Sequence, residues 1–269
     1  MPHVAAYAPG SPSWVDLGTP DPDAAATFYG GLFGWTIVAG PKESGGYRMC
    51  LLDDQPVAGI GPQPNPDMPP WWMSYITVAD ADRSAATIEA AGGMVVVAPM
   101  DVLDVGRMAV ARDVAGAVFS IWQPRSHIGA HVVNEPNTLC WNELTTRAKG
   151  ESIEFYRAVF DWHAQAHGDA PGDYVEFHLR TAGPTALPGG DSAIAGLMPM
   201  VGDMWPAELP NHWMVYFATE DVDDAVVRVN DLGGSVSVPP TEIPPGRFAV
   251  VNDPQGAVFS LLTFRPDAA

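Results

Sequence analysis

Cysteine is scarce in this chain: only Cys50 and Cys140 occur in 269 residues. Both fall inside apolar segments that read as strands, where a lone thiol behaves as a small buried side chain, so a disulfide framework is excluded. Basic residues are also few. Thirteen Lys and Arg stand against 32 Asp and Glu, giving a formal charge of −19. Nucleic-acid binding, which depends on clustered cations, is therefore not expected. Adsorption to an anionic membrane is not expected either. No apolar run approaches the roughly 20 residues that cross a bilayer, and the first residues lack a basic segment followed by an apolar core. A cytoplasmic protein, monomeric or homodimeric, is the expectation.

What is present is a repeat. Trp14-Val15-Asp16-Leu17, Phe28-Tyr29 and Phe33-Gly34-Trp35 return 127 positions later as Trp141-Asn142-Glu143-Leu144, Phe155-Tyr156 and Phe160-Asp161-Trp162. Trp72-Met73-Ser74-Tyr75 and Gly92-Gly93 return 141 positions later, and Gly116-Ala117-Val118-Phe119-Ser120 returns after 140. A register held through turns and apolar runs alike marks a duplicated fold unit, and the small slips place insertions in loops. Two domains of roughly 130 residues, each with its own core, fit the length.

Each copy divides again. Trp14 to Leu17 alternates as a half-buried strand, and Asp21 or Asp23 caps a helix that carries Phe28, Leu32 and Phe33 and stops near Gly34. Strands follow at Tyr47 to Leu52 and Val57 to Ile60, with a third less well marked. The second half starts with a strand from Met73 to Val78. Asp80 or Asp82 caps a helix that Gly92-Gly93 ends in a left-handed turn. Strands at Met94 to Val97, Arg107 to Arg112 and Ala117 to Trp122 close it. Every half thus reads strand, helix, three strands.

This order of elements resembles the vicinal oxygen chelate superfamily, as do the Phe-Tyr and Phe-Gly-Trp helix ends, the Gly-Gly turn and the closing Asp-x-x-Gly-x-x-Phe-Ser. The group includes glyoxalase I, bleomycin- and fosfomycin-resistance proteins and extradiol dioxygenases. The likeness runs from about residue 11 to 264 and is nearest to tandem-domain, glyoxalase-like proteins of actinobacteria, with hydroxylase-like proteins of anthracycline-type polyketide clusters also similar. It implies an α+β fold of two tandem domains (11–123 and 138–265, joined by a connector at 124–137). Each domain is then two βαβββ units forming a curved mixed sheet around a cleft, with helices outside.

In metal-dependent members of that group each unit supplies ligands from its first and last strands, usually His, Glu or Gln. Carried onto this chain, the positions fall on Trp14, Gly59, Met73 and Ser120, then on Trp141, Gly196, Met214 and Ser260. Indole, thioether and hydroxyl are poor ligands for such metals and glycine offers none, so neither a metal nor another cofactor is expected. His3, His127, His131, His163 and His167 lie in arms, connector or helix ends and read as solvated or structural. His178 and His212 fall on or beside strands of the second cleft.

The inward positions are aromatic and sulfur-rich: Trp14, Trp72 or Met73, Tyr75 and Trp122 in the first domain, Trp141, Met214 and Tyr216 in the second. Either they fill a core or they bind a flat apolar ligand. Asp16 and Glu143 occupy matched positions two residues after Trp14 and Trp141. Each reads either as a general base with a raised pKa or as a structural partner for Arg107, Arg247 or backbone amides. Tyr47 and Tyr174 could offer a phenol hydrogen bond to the ligand, and Glu176 and His178 add ionisable groups to the second cleft. Binding, sequestration or metal-independent conversion of a small aromatic or polyketide-like metabolite is the function expected. A glyoxalase-type lyase acting on a methylglyoxal hemithioacetal is the alternative.

Overall fold

A computed structural model describes residues 3–179 and 193–265. The first unit runs β1 (Pro12–Thr19), α1 (Pro22–Phe33), β2 (Thr36–Ala39), β3 (Arg48–Leu52) and β4 (Gln55–Pro62). Asp21 caps α1 by accepting from the amides of Asp23 and Ala24, Pro22 opens it, and Gly34 ends it at φ 71°. The second unit runs β5 (Trp71–Thr77), α2 (Ala81–Ala90), β6 (Met94–Val102), β7 (Gly106–Arg112) and β8 (Val118–Pro124). Asp80 caps α2 through the amide of Arg83.

The second domain repeats this. Its first unit is β9 (Leu139–Thr146), α3 (Lys149–Phe160), β10 (His163–Ala166), β11 (Val175–His178) and β12 (Ala193–Pro199). Its second is β13 (His212–Ala218), α4 (Val222–Asp231), β14 (Ser235–Ile243), β15 (Gly246–Asn252) and β16 (Val258–Phe264). Each domain forms one eight-stranded mixed sheet, in the order β2-β3-β4-β1-β5-β8-β7-β6 and its counterpart β10-β11-β12-β9-β13-β16-β15-β14. The fold is α+β with two tandem domains, and the less marked third strand is β2, which precedes the other two in its unit.

The helices depart from expectation. Each keeps an exposed side, but its buried side packs across the domain boundary, and the domains do not keep separate cores. Phe28 and Phe33 of α1 meet Phe259 and Phe217 of the second domain, while Phe155 and Phe160 of α3 meet Phe119 of the first. One core joins the first unit of domain one to the second unit of domain two, and the other joins the remaining two units. Polar groups pin this exchange. Tyr29 donates to Asp253 Oδ2 at 3.1 Å and accepts from Trp72 Nε1 at 3.0 Å. Tyr156 donates to Asp113 Oδ2 at 3.1 Å and accepts from Trp213 Nε1 at 2.9 Å. Each aspartate also accepts, through Oδ1, the amides of its own Asp-x-x-Gly turn. The turn that closes one domain thereby holds the first helix of the other.

Candidate functional site

Strand alternation sends Val15 and Leu17 into the shared core and leaves Trp14 and Asp16 on the opposite, concave face of the first sheet. The same rule places Met73 and Tyr75 of β5 and Trp122 of β8 in that cleft, with Met49 and Met108 beside them. It also excludes Trp72. Adjacent residues on a strand point to opposite faces, so Met73 and Trp72 cannot both line the cleft. Trp72 belongs to the inter-domain core, and Trp71 packs on the cleft side instead.

Asp16 stands at the floor of this cleft. Its Oδ2 accepts from the hydroxyl of Tyr75 at 2.9 Å and from that of Tyr47 at 3.2 Å. Tyr47 in turn accepts from Trp14 Nε1 at 2.9 Å. Burial raises the Asp16 carboxyl from 3.8 to about 6, against the two phenol hydrogen bonds, which lower it. Burial also pushes both phenols well above their ordinary value, and the Asp16 charge adds to this, so they remain donors. Tyr47 fits only because residue 59 is glycine: a Cβ there would lie 1.8 Å from the Tyr47 hydroxyl oxygen.

The second cleft repeats each contact. Glu143 Oε1 accepts from Tyr216 at 2.9 Å, and Trp141 Nε1 donates to the Tyr174 hydroxyl at 2.8 Å. Burial raises the Glu143 carboxyl, opposed by hydrogen bonding from Tyr216 and then Tyr174. A Cβ at Gly196 would lie 1.7 Å from the Tyr174 oxygen. Tyr47 and Tyr174, expected to serve a ligand directly, thus give their protons toward the carboxylates. The alternative of arginine partners is not what forms: Arg107 pairs with Asp82 and Asp101, and Arg247 with Asp223 and Glu242.

The clefts differ at their rims. Where the first has Met49, the second has Glu176, in register with Gly196, which is in turn in register with Glu143. Glu176 sits 3.1 Å from His167 Nε2 and 3.3 Å from His178 Nε2. His212 begins β13 on the face of Met214 and Tyr216, with Nδ1 2.8 Å from the carbonyl of Pro210, and burial lowers its pKa. Met214 and Trp141 pack around Tyr216 with Phe248, Phe264 and Leu262.

His127 is a cleft residue that sequence reasoning missed. The connector carries it onto Trp14, edge to face at 4.6 Å, and its carbonyl accepts from Trp122 Nε1 at 2.8 Å. Burial, with a smaller contribution from His131, lowers its pKa to about 4. Ala130 and Val133 of the same connector complete that wall. Trp14, the residue His127 covers, has no marker in the connector sequence that could have announced this contact.

The positions at which the resemblance implies metal ligands do not form one set. Asp16, not Trp14, is in register with both Gly59 and Met73, while Trp14 shares a level with Tyr75 and Ser120. The second domain matches, with Glu143 level with Gly196 and Met214. Each cleft floor therefore offers one carboxylate with a thioether, and a phenol occupies the space over the glycine. Among the described residues no group of three or more His, Cys, Asp or Glu is gathered for a metal. This donor set does not fit a catalytic divalent metal.

Comparison with known proteins agrees with the fold. The model of the Glyoxalase/Bleomycin resistance protein/Dioxygenase superfamily matches residues 11–121 and 130–261. A Mycobacterium tuberculosis protein, CFP32, provisionally named a glyoxylase, is 40% identical over 274 residues, spanning 99% of both chains. The anthracycline biosynthesis protein DnrV of Streptomyces peucetius is 39% identical over 285 residues, covering 96% of this chain and 95% of that one. Among solved structures, the Mn(II)-bound glyoxalase of Novosphingobium aromaticivorans superimposes with a TM-score of 0.64 at 15% identity, over 96% of this chain and 83% of its own, a likeness of fold alone. With both halves of the chain matched and relatives aligned end to end, this protein belongs to the Glyoxalase/Bleomycin resistance protein/Dioxygenase superfamily.

Proposed function

We propose that this chain binds a small, flat, hydrophobic metabolite of aromatic or polyketide type in its clefts, without a metal, and that Asp16 or Glu143 acts on it as an acid–base group. The observation that carries the reading is the carboxyl held between two phenols on an aromatic floor, built twice. A carboxyl poised at about 6 is close to the working range of a general base at neutral pH. Indole, phenol and thioether walls suit a planar ligand by stacking and adaptable packing. A relative named for anthracycline biosynthesis lends analogy. The glyoxalase-type alternative has a relative's provisional name behind it, but it calls for a metal that the donor set does not suit.

Titration of the full chain with planar quinones and naphthols, read by tryptophan emission, tests this. Trp14, Trp122 and Trp141 line the clefts, so saturable quenching is expected. Unchanged emission with every such ligand at saturating concentration removes the reading.

A further inference from the structure

The donors and acceptors at the cleft floors narrow the ligand further, on the basis of the aromatic-ligand reading above. Asp16 Oδ2 already takes two hydroxyl protons. The Tyr47 oxygen takes the Trp14 N–H, which directs its own proton to Asp16. Trp122 spends its N–H on the carbonyl of His127. The Trp71 indole, the His127 ring and the Ser120 hydroxyl are further donors around this cleft, but those of Trp14, Trp122, Tyr47 and Tyr75 are all engaged. One acceptor is not: among the described residues no hydrogen bond reaches Asp16 Oδ1, and that atom is not sealed from solvent, so it opens to the cleft. Glu143 is flanked in the same way, with Oε1 engaged by Tyr216 and Tyr174 also bonded to the carboxylate. No lysine or arginine among the described residues forms an ion pair with either carboxylate, so nothing offsets a negative charge on the ligand.

We infer that the ligand is a neutral aromatic molecule that donates a hydrogen bond, from a phenolic or enolic hydroxyl, to Asp16 Oδ1 in the first cleft and to the Glu143 carboxylate in the second. A ligand offering only carbonyl or ether oxygens finds no free donor in the two tyrosines beside Asp16. It also buries an acceptor already present on the protein, and an unmet buried polar group is costly. An anionic ligand meets a like charge. The two clefts accept the same functional group, although their rims differ.

Isothermal titration calorimetry on the full chain at pH 7.5 separates these cases with three probes of one shape: 2-naphthol, 2-methoxynaphthalene and 2-naphthoate. The expected result is that 2-naphthol binds at least about tenfold more tightly than its methyl ether, the scale of one hydrogen bond to a charged group, and that naphthoate shows no binding. Asp16→Asn together with Glu143→Gln should shrink the naphthol-to-ether ratio to about threefold or less, since each amide offers a donor as well as an acceptor. Equal affinities for naphthol and ether in the parent protein overturn the inference while the aromatic-ligand reading stands. A naphthol preference that survives in the double variant overturns it too, because the acceptor would lie elsewhere. Naphthoate as the tightest probe contradicts the charge argument. Binding by none of the three removes the aromatic-ligand reading and the inference with it.

Discussion

Replacing Asp16 by Asn changes one atom at the cleft floor and should raise the stability of the protein while lowering its activity. The carboxyl goes from 3.8 to about 6 because burial penalises its ionised form more than the Tyr75 and Tyr47 hydrogen bonds favour it. A carboxyl whose pKa is higher folded than unfolded works against folding when ionised. The penalty is absent below about pH 4, grows between about pH 4 and 6, and is complete above. A shift of that size corresponds to about 3 kcal/mol. Asp16 keeps some contact with solvent, so roughly 1–3 kcal/mol is the reasonable span. The amide can still accept from both phenols through its oxygen, so little is lost on substitution. In a chain of this length that gain lifts Tm by roughly 2–5 °C. Differential scanning calorimetry of parent and Asp16→Asn between pH 4 and 8 should show a gap that opens with rising pH and levels off above about pH 6.5. A general base removed without loss of fold should lower turnover by about 10²-fold or more. If Asp16→Asn melts below the parent at pH 7.5, with a gap independent of pH, then Asp16 is a stabilising partner and the burial argument is wrong.

Other substitutions probe separate parts of the account. Gly59→Ala should expel the Tyr47 hydroxyl, since the added Cβ would fall 1.8 Å from it. The Trp14 hydrogen bond is then lost, the near-ultraviolet circular dichroism changes, and ligand affinity falls as it does in Tyr47→Phe. Tyr29→Phe and Tyr156→Phe each strip a buried aspartate and a buried indole N–H of a partner. Each should cost about 1–3 kcal/mol in denaturant unfolding, and a silent result would contradict the inter-domain lock. Trp72→Phe should destabilise without changing ligand affinity, whereas Trp71→Phe should do the reverse; an affinity loss confined to Trp72→Phe would show that β5 has been read on the wrong face.

The fold was legible because repetition supplies its own control: a motif that recurs at a fixed offset with its turn and its helix end marks the unit without any contact being known. The carboxylates were legible for the same reason, Asp16 and Glu143 being matched acids beside matched tryptophans. Trp72 was not, because consecutive large apolar residues leave the phase of a strand undetermined, and its packing on Tyr29, Trp35 and Phe217 in the core decides it. The helix packing was also hidden. Phe28 and Phe33 mark an apolar face, but nothing in α1 says that Phe259 and Phe217 of the other domain will cover it. His127 lies in an irregular connector, where no period relates sequence to facing. The pairing of Tyr47 with Gly59 joins two strands through a missing side chain, and a glycine in a strand does not name the residue that will occupy its space.

Binding in the absence of metal tests the central claim most directly. The full chain, dialysed against chelator and shown by elemental analysis to hold less than about one tenth of a divalent ion per chain, is titrated with 2-naphthol before and after addition of Mn²⁺, Fe²⁺ or Zn²⁺. The account predicts the same affinity in every case, with Asp16→Asn and Glu143→Gln weakening it regardless of metal. Binding that appears only when metal is restored, or about one tightly held ion per chain that survives dialysis, would contradict it.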